Sequence, residues 1–401
     1  MSVRRDRLDA VVVGGGVVGT TTALLLADSG LQVALVEASA PPRWQADRPD
    51  LRVYAFAPDN MALLDRVGVW ASVAEARAQP YRRMRIWDAA GGGELRFDAD
   101  AMGRRELGWI VEHGLLADRL TAALATSGVR TLCPARVESL AQDESGVRLQ
   151  LEDGRSVEAG IAIAADGPDS TVRALAGFDV ERHDYAQRGI VAYVHTARPH
   201  HETAWQRFLP GGPLAFLPCA DGVLGAAAGQ ASSIVWTVPA PESERLMALD
   251  GAAFDAELTR AFDARLGEVR SLSPRVAFPL RRQLVEEYVR GRVLVVGDAA
   301  HVVHPLAGQG VNLGLRDAAG LADSLRAARE VRADWTSPDR LARWARGRRS
   351  DNTIAAHAFD AINRVFSNDR LSATLLRGPL LGGAGRLPPV TRALWRRAAG
   401  G

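Results

Sequence analysis

The thirty residues from Leu8 to Glu37 constrain this chain most. Leu8 to Val13 (LDAVVV) is a short, continuously apolar, β-branched run, the mark of a strand buried on both faces. Gly14-Gly15-Gly16-Val17-Val18-Gly19 then reads G-x-G-x-x-G, and Val17 to Ser29 follows as a helix with Gly30 as its C-terminal cap. Leu31 to Glu37 is a second buried strand, and its terminal acid lies 21 residues after Gly16. Strand, glycine turn, helix and acid together make a βαβ dinucleotide unit. The glycines permit close approach of a pyrophosphate, and Glu37 can accept hydrogen bonds from ribose hydroxyls. Such a unit commits the chain to a parallel sheet covered by helices, and it does not separate FAD from NAD.

Two further strands end in the same way. Ile161 to Ala165 runs into Asp166-Gly167, and Arg292 to Val296 runs into Gly297-Asp298. After Asp298 come Pro305, Gly308 and Gly310, which forbid regular structure, and then a helix from Val311 to about Ala327. A glycine-bearing loop that opens a helix offers backbone N–H groups to an electron-rich ligand. Asp298 cannot bind an anion, but it can accept from a sugar hydroxyl.

Between these pieces lie other patterns. Arg52 to Trp70 reads as a loop and then a helix from about Asp59. Met84 to Phe97 reads as a hairpin around Gly91-Gly92-Gly93, and Leu116 to Ser127 as a helix. Gly146 to Ala164 reads as a hairpin turning at Asp153-Gly154. From about His183 the character changes to short strands: Gly189–Thr196, Trp205–Leu209, Leu214–Leu217, Val223–Ala228 and Ile234–Val238, followed by a helix over Glu242–Leu266. Tyr193, Trp205, Phe208, Phe216, Trp236 and Phe278 supply aromatic side chains for the core of this sheet or for a ligand pocket. The expected fold is α/β with an α+β insert. A Rossmann-like nucleotide-binding domain takes residues 1–182 and 281–345, an inserted, mostly antiparallel sheet domain takes 183–280, and a helical region takes 346–401.

Composition closes several doors. With 49 basic and 47 acidic residues the net charge is +2, which gives no electrostatic case for nucleic acid. All the basic residues are arginine, so no lysine Schiff base is available. Two cysteines, Cys133 and Cys219, are too few for a disulfide framework or a zinc site, and no metal site is expected. No apolar run reaches the length of a membrane span, and the start of the chain lacks a signal-peptide pattern, so a cytoplasmic setting is the expectation. The tail from Leu371 mixes leucines with Arg377, Arg386, Arg392, Arg396 and Arg397. It could dock on its own domain, on a partner, or on an anionic membrane surface.

Taken together, the single glycine turn, the Asp166-Gly167 motif and the Gly297-Asp298 motif resemble the FAD-dependent aromatic hydroxylases built like p-hydroxybenzoate hydroxylase. RVYAFAPDNMALLDRVGVW, WIVEHGLLADRL, GPLAFLP, GDAAHVVHPLAGQGVNLGLRDA, RRSDN at Arg348–Asn352 and FDAINRVFSND narrow the resemblance to the ubiquinone-biosynthesis hydroxylases. The resemblance implies an FAD enzyme that uses NAD(P)H and O2, through a flavin hydroperoxide, to hydroxylate the ring of a polyprenyl phenol. It places Gly14, Gly15, Gly16, Val18 and Gly19 at the pyrophosphate. Glu37 and Ala38 fall at the adenosine ribose, Val137 at the adenine, and Arg52 and His113 beside the flavin. Asp298 meets the ribityl or pyrophosphate part, and Asp166 and Arg173 help hold the fold and the passing nicotinamide. Pro305, Gly308, Gly310, Val311 and Asn312 lie against the isoalloxazine ring. His113 departs from the pattern, since relatives usually carry an amide residue there; a solvent-side histidine is the other reading. No catalytic base is identified: His301 and His304 are near in sequence but could serve only the loop. A hydrophobic-tailed substrate implies peripheral contact with the inner membrane or partner proteins of a quinone-biosynthesis complex. Two alternatives stand beside this reading: a hydroxylase of a small soluble aromatic, and an FAD-bearing scaffold without turnover.

Overall fold

A computed structural model describes residues 8–41, 43–89, 93–304 and 310–366. Its organising element is a parallel sheet whose main path runs Val289–Arg290, Val293–Val295, Ser156–Ala164, Leu8–Val13, Val33–Val36, Arg130–Leu132. The strands from Val293 to Arg130 along this path are mutually parallel. Their apolar continuity has a plain cause. Ala10 to Val12, Ile161 to Ala164 and Val293 to Val295 are wholly buried, with no face turned to water. A hairpin of Val137–Gln142 and Val147–Leu151 pairs back onto Ser156–Ala164, as the Asp153-Gly154 turn leads one to expect.

The first helix, Val17–Asp28, packs on the long helix Gly310–Glu330 and on His113–Leu124. Gly30, at φ +79°, ends the first helix: its N–H reaches the Ala27 carbonyl and the next N–H reaches that of Leu26. Gly314 lets the long helix approach closely, because a Cβ there would lie 2.7 Å from Val18 Cγ2 and 3.0 Å from Gly297 Cα. So the two helices and the Gly297 turn meet at one point, with the Val18 side chain between them.

A second sheet has nine strands among the described residues. Its path is His301–Val302, Val276–Val285, Val180–Thr196, Ala231–Pro239, Gly212–Pro218, Thr203–Leu209, Arg83–Asp88, Glu94–Asp98. Pairing is antiparallel except between Thr203–Leu209 and Arg83–Asp88, which run parallel. The sheet therefore takes two strands from the 83–98 hairpin, far upstream of the 183–280 stretch. One face closes on helices Ala240–Ala248 and Gly251–Ala261, around Ile190, Val194, Phe216, Trp236, Phe254 and Phe262. Tyr193, Phe208, Phe216 and Trp236 are core residues, whereas Phe278 is 37% exposed. A small third sheet, Val53–Phe56, Gly108–Glu112 and Ala78–Tyr81, lies between the two large ones.

Several local expectations are corrected. The stretch expected as a loop before Asp59 is the strand Val53–Phe56, held by its partner Gly108–Glu112, and the helix after it runs Pro58–Arg66. Val223–Gly225 is a 3-10 turn with Leu224 in the left-handed region (φ 51°), not a strand. The helix expected over Glu242–Leu266 is two helices. They break at Leu249-Asp250, where Asp250 caps the second by accepting the Ala253 N–H. The helix expected from Leu116 begins at His113.

Candidate functional site

The parallel register decides where the acids and glycines go. Neighbouring strands that point the same way bring their carboxyl ends to one edge. Along that edge stand Gly297-Asp298, Asp166-Gly167, Gly14 to Gly16, and Glu37, in the order of their strands. Three strand spacings separate the Asp298 end from the Glu37 end, roughly 14 Å. That span suits an extended dinucleotide better than a compact ligand.

The glycine turn has two kinds of glycine. Gly14 sits at φ +108°, and a Cβ on it would fall 2.3 Å from the Ala165 carbonyl oxygen. A Cβ on Gly19 would fall 1.9 Å from the Gly14 oxygen. These two serve the packing of turn on strand. Gly16 is different: it is exposed, has an ordinary extended backbone (φ −69°, ψ 179°), and a Cβ on it would meet nothing within 4 Å. It is the N-cap of the first helix and carries no side chain to occupy the free N–H groups there. An open cradle of backbone N–H groups at a positive helix end fits a pyrophosphate. The Val18 side chain is packed on Gly297 and Gly314.

Glu37 accepts the N–H of Gly15 with one oxygen and that of Ser39 (2.8 Å) with the other. This fixes the carboxylate beside the turn and leaves lone pairs for hydroxyl donors. The next stretch is tied to the same place: Ala135 N–H donates to the Glu37 carbonyl (2.7 Å), and Val137 opens its strand two residues on. Ala38 lies between, half-buried.

At the other end, the Asp298 side chain is open to solvent yet ringed by protein, as a residue on the floor of a cleft is. That surrounding protein pushes its carboxyl above the usual range, while His301 and Arg52 pull it down. Arg52, Tyr54 and His113 form a cluster beside it. The Tyr54 hydroxyl and His113 Nδ1 lie 2.9 Å apart, and burial pushes the Tyr54 phenol up to about 12. Burial lowers the His113 ring, and Arg52 adds to this against the pull of Asp50. His113 is half-buried at the first turn of its helix and in contact with the Tyr54 hydroxyl.

Asp166 and Arg173 have structural partners. Asp166 accepts from the Ser170 hydroxyl and the Val172 N–H (3.2 Å). Arg173 is buried and donates to the carbonyls of Ala299 (2.9 Å) and Pro168 (2.8 Å), stapling the Asp166-Gly167 turn to the Gly297-Asp298 turn. Asn312 is wholly buried and its amide is spent. It accepts from Asn60 (2.7 Å) and from the Ala57 N–H (3.2 Å) and donates to the Ala55 carbonyl (2.8 Å). So Asn312 clamps the long helix near Gly310 to the Val53–Arg66 segment. A Cβ on Gly310 would meet no described residue within 4 Å, and Val311 is buried. Pro305 and Gly308 lie outside the described residues. Sequence reasoning misses Tyr54, Asn60 and Asp317, because their partners are distant in the chain.

A groove of about 600 Å³ lies elsewhere, lined by Gln142, Glu287, Tyr288, Arg292, Ala345 and Arg349 among others. It sits where the strand Val293–Val295 begins, away from the edge that bears the acids, so its volume says nothing about the dinucleotide cleft.

The architecture is shared with p-nitrophenol 4-monooxygenase PnpA from Pseudomonas putida (TM-score 0.77, 20% identity, covering 98% of this chain and 99% of that one). It is shared also with PqsL from P. aeruginosa in complex with 2-aminobenzoylacetate (TM-score 0.77, 24% identity, 92% and 99% covered). The fold is thus that of the p-hydroxybenzoate hydroxylase-like flavoproteins. The FAD binding domain family matches residues 7–351. The chain is 38% identical to ubiquinone hydroxylase UbiL of Rhodospirillum rubrum over 98% of its own length and 89% of that protein. It is 35% identical to the 3-demethoxyubiquinol 3-hydroxylase of Escherichia coli, with 98% of each covered. It belongs to the FAD-dependent hydroxylase family of ubiquinone biosynthesis.

Proposed function

We propose that this protein is a flavin-dependent monooxygenase that hydroxylates the aromatic ring of a polyprenyl phenol in ubiquinone biosynthesis, with NAD(P)H and O2 as co-substrates. The observation that carries the reading is the single edge on which Gly16, Glu37 and Asp298 stand, with open space at Gly16. Bound FAD would supply the redox chemistry, taking electrons from NAD(P)H and activating O2 for transfer to the ring.

The chain's own residues supply binding, orientation and exclusion of water. The N-terminus of Val17–Asp28, bared at Gly16, would hold the pyrophosphate, with Gly14, Gly15, Val18 and Gly19 shaping the turn. Glu37 and Ala38 would take the ribose and Val137 the adenine. Asp298 would take the ribityl hydroxyls, whose donors its carboxylate can accept. The helix beginning at Gly310 and Val311 would direct a positive helix end toward negative charge on bound flavin, without a titrating group. Arg52, Tyr54 and His113 would form the polar wall beside it. We assign residues 1–182 and 281–345 to the FAD-binding part, 183–280 to the substrate part with two strands lent by 83–98, and 346–401 to the C-terminal region.

A polyprenyl tail must stay in apolar surroundings while the ring enters the cleft. Among the described residues no helix is long and apolar enough to cross a membrane. Peripheral contact, through the stretch after Leu371 or through partner proteins of the pathway, meets the need; deleting that stretch should lower membrane partitioning. The decisive experiment is turnover. Purified protein reconstituted with FAD should oxidise NAD(P)H and form hydroxylated product with a prenylated phenol. Absence of product with every prenyl length, while a small hydroxybenzoate is turned over, would replace this reading with the soluble-substrate one.

A further inference from the structure

Asp317, seven residues into the long helix, is wholly buried and accepts from two directions at once. Its Oδ1 takes Arg348 Nε (2.9 Å) and Asn352 Nδ2 (2.9 Å), both from Pro338–Phe366, the last helix among the described residues. Its Oδ2 takes the Gly297 N–H (3.1 Å) and His301 Nε2 (2.7 Å), both from the turn that carries Asp298. The far side is itself braced: Arg348 donates to the Asn352 side-chain oxygen (3.0 Å), and Asn352 to the Tyr288 hydroxyl (3.0 Å). Burial would drive the Asp317 carboxyl up, but His301 and Arg348 outweigh it and hold it below the usual range.

We propose that Arg348 and Asn352 are positioning residues for the cofactor cleft, setting the Gly297-Asp298 turn and the His301 ring through Asp317. A buried ion pair is a poor source of stability, since desolvation offsets its attraction, and an apolar contact would attach the last helix as well. What the charge adds is direction. It fixes an acceptor opposite a main-chain N–H of a residue in the left-handed region (Gly297, φ +59°) and opposite one edge of an imidazole. The other edge of that imidazole, Nδ1, is buried and has no partner among the described residues, and His301 lies within electrostatic reach of Asp298. The chain of contacts therefore runs from the last helix to the residue that faces the cleft.

This inference rests on the FAD reading, and its test separates the two. Apoprotein of wild type, Arg348→Met, Asn352→Leu and the conservative Arg348→Lys would be titrated with FAD, and the dissociation constant, the visible spectrum and the midpoint potential of the bound flavin recorded beside the apoprotein melting temperature. Loss of one charge-assisted contact should weaken FAD binding roughly 10- to 100-fold in the Met and Leu variants. It should also shift the flavin spectrum and potential, with partial rescue by lysine. Should those variants fail to fold, Asp317→Asn keeps the shape, removes the charge and should show the same flavin shifts. Wild type that takes up FAD, with variants matching it within twofold in affinity and in spectrum whatever their melting temperatures, overturns this inference alone. Wild type that takes up no FAD overturns the FAD reading and this inference with it.

Discussion

Replacing Gly16 by valine should separate folding from cofactor binding. In the protein alone the change is mild. The backbone at Gly16 is ordinary extended, and a Cβ would touch nothing within 4 Å. Loss of an N-cap glycine to a branched residue costs about 1 kcal/mol. Reduced freedom of the unfolded chain returns about 0.4–1 kcal/mol. The apoprotein should therefore melt within about 2 °C of wild type. With FAD the same side chain occupies the cradle, and the pyrophosphate must retreat from the N–H groups at the helix start. Each charge-assisted bond lost is about 1.5–3 kcal/mol, or roughly 10- to 100-fold in the dissociation constant. Titrating apoprotein with FAD and following flavin fluorescence measures the affinity, and a thermal melt of the same sample checks the fold. Wild-type affinity in a variant that melts normally would refute the placement of a pyrophosphate at this turn.

Gly14→Ala should behave in the opposite sense. With φ +108° and a Cβ 2.3 Å from the Ala165 oxygen, it should destabilise the apoprotein by more than about 2 kcal/mol, seen as a lower melting temperature without FAD. Arg173→Leu should cost about 3 kcal/mol or more in denaturant unfolding, because the Ala299 and Pro168 carbonyls lose a buried charged donor. His304 is wholly buried, neither of its ring nitrogens has a partner among the described residues, and burial lowers it to about 4 from the ordinary 6.5. The neutral ring is thus favoured in the folded state. Its stability contribution is complete above pH 6.5 and is lost as pH falls toward 4, by up to about 3 kcal/mol. His304→Phe should flatten the stability profile over that window, and an unchanged acid slope would disprove this.

The parallel strands are legible in the sequence because they are buried on both faces. Apolar–polar alternation is therefore absent, and runs such as VVV before the glycine turn and VLVV before Gly297-Asp298 stand out. The Asp153-Gly154 hairpin is legible from its turn residues. Val53–Phe56 is less so: its Val, Tyr and Phe favour a strand, but four residues ahead of a helix are a short signal, and the partner Gly108–Glu112 lies far downstream. The break at Asp250 carries a local sign, an acid before Gly251-Ala252-Ala253, but the apolar spacing on either side hides it. In the site, the glycines and terminal acids are readable since each serves a local turn. The clamp of Asn312 on Asn60 and the hub at Asp317 are not, for they join residues separated by 252 and by 31 to 35 positions.

The strand Arg83–Asp88 lies against Thr203–Leu209 in parallel register, so two of the nine strands of that sheet are written far from the rest in the gene. A chimera that exchanged only residues 183–280 with a relative would graft a new sheet onto an old border strand. Trp205 and Phe208 would then be replaced by residues facing an Arg85 and an Asp88 chosen for other neighbours. Recombination, natural or engineered, would succeed when both pieces travel together, which makes this fold poor at trading specificity by single-segment exchange.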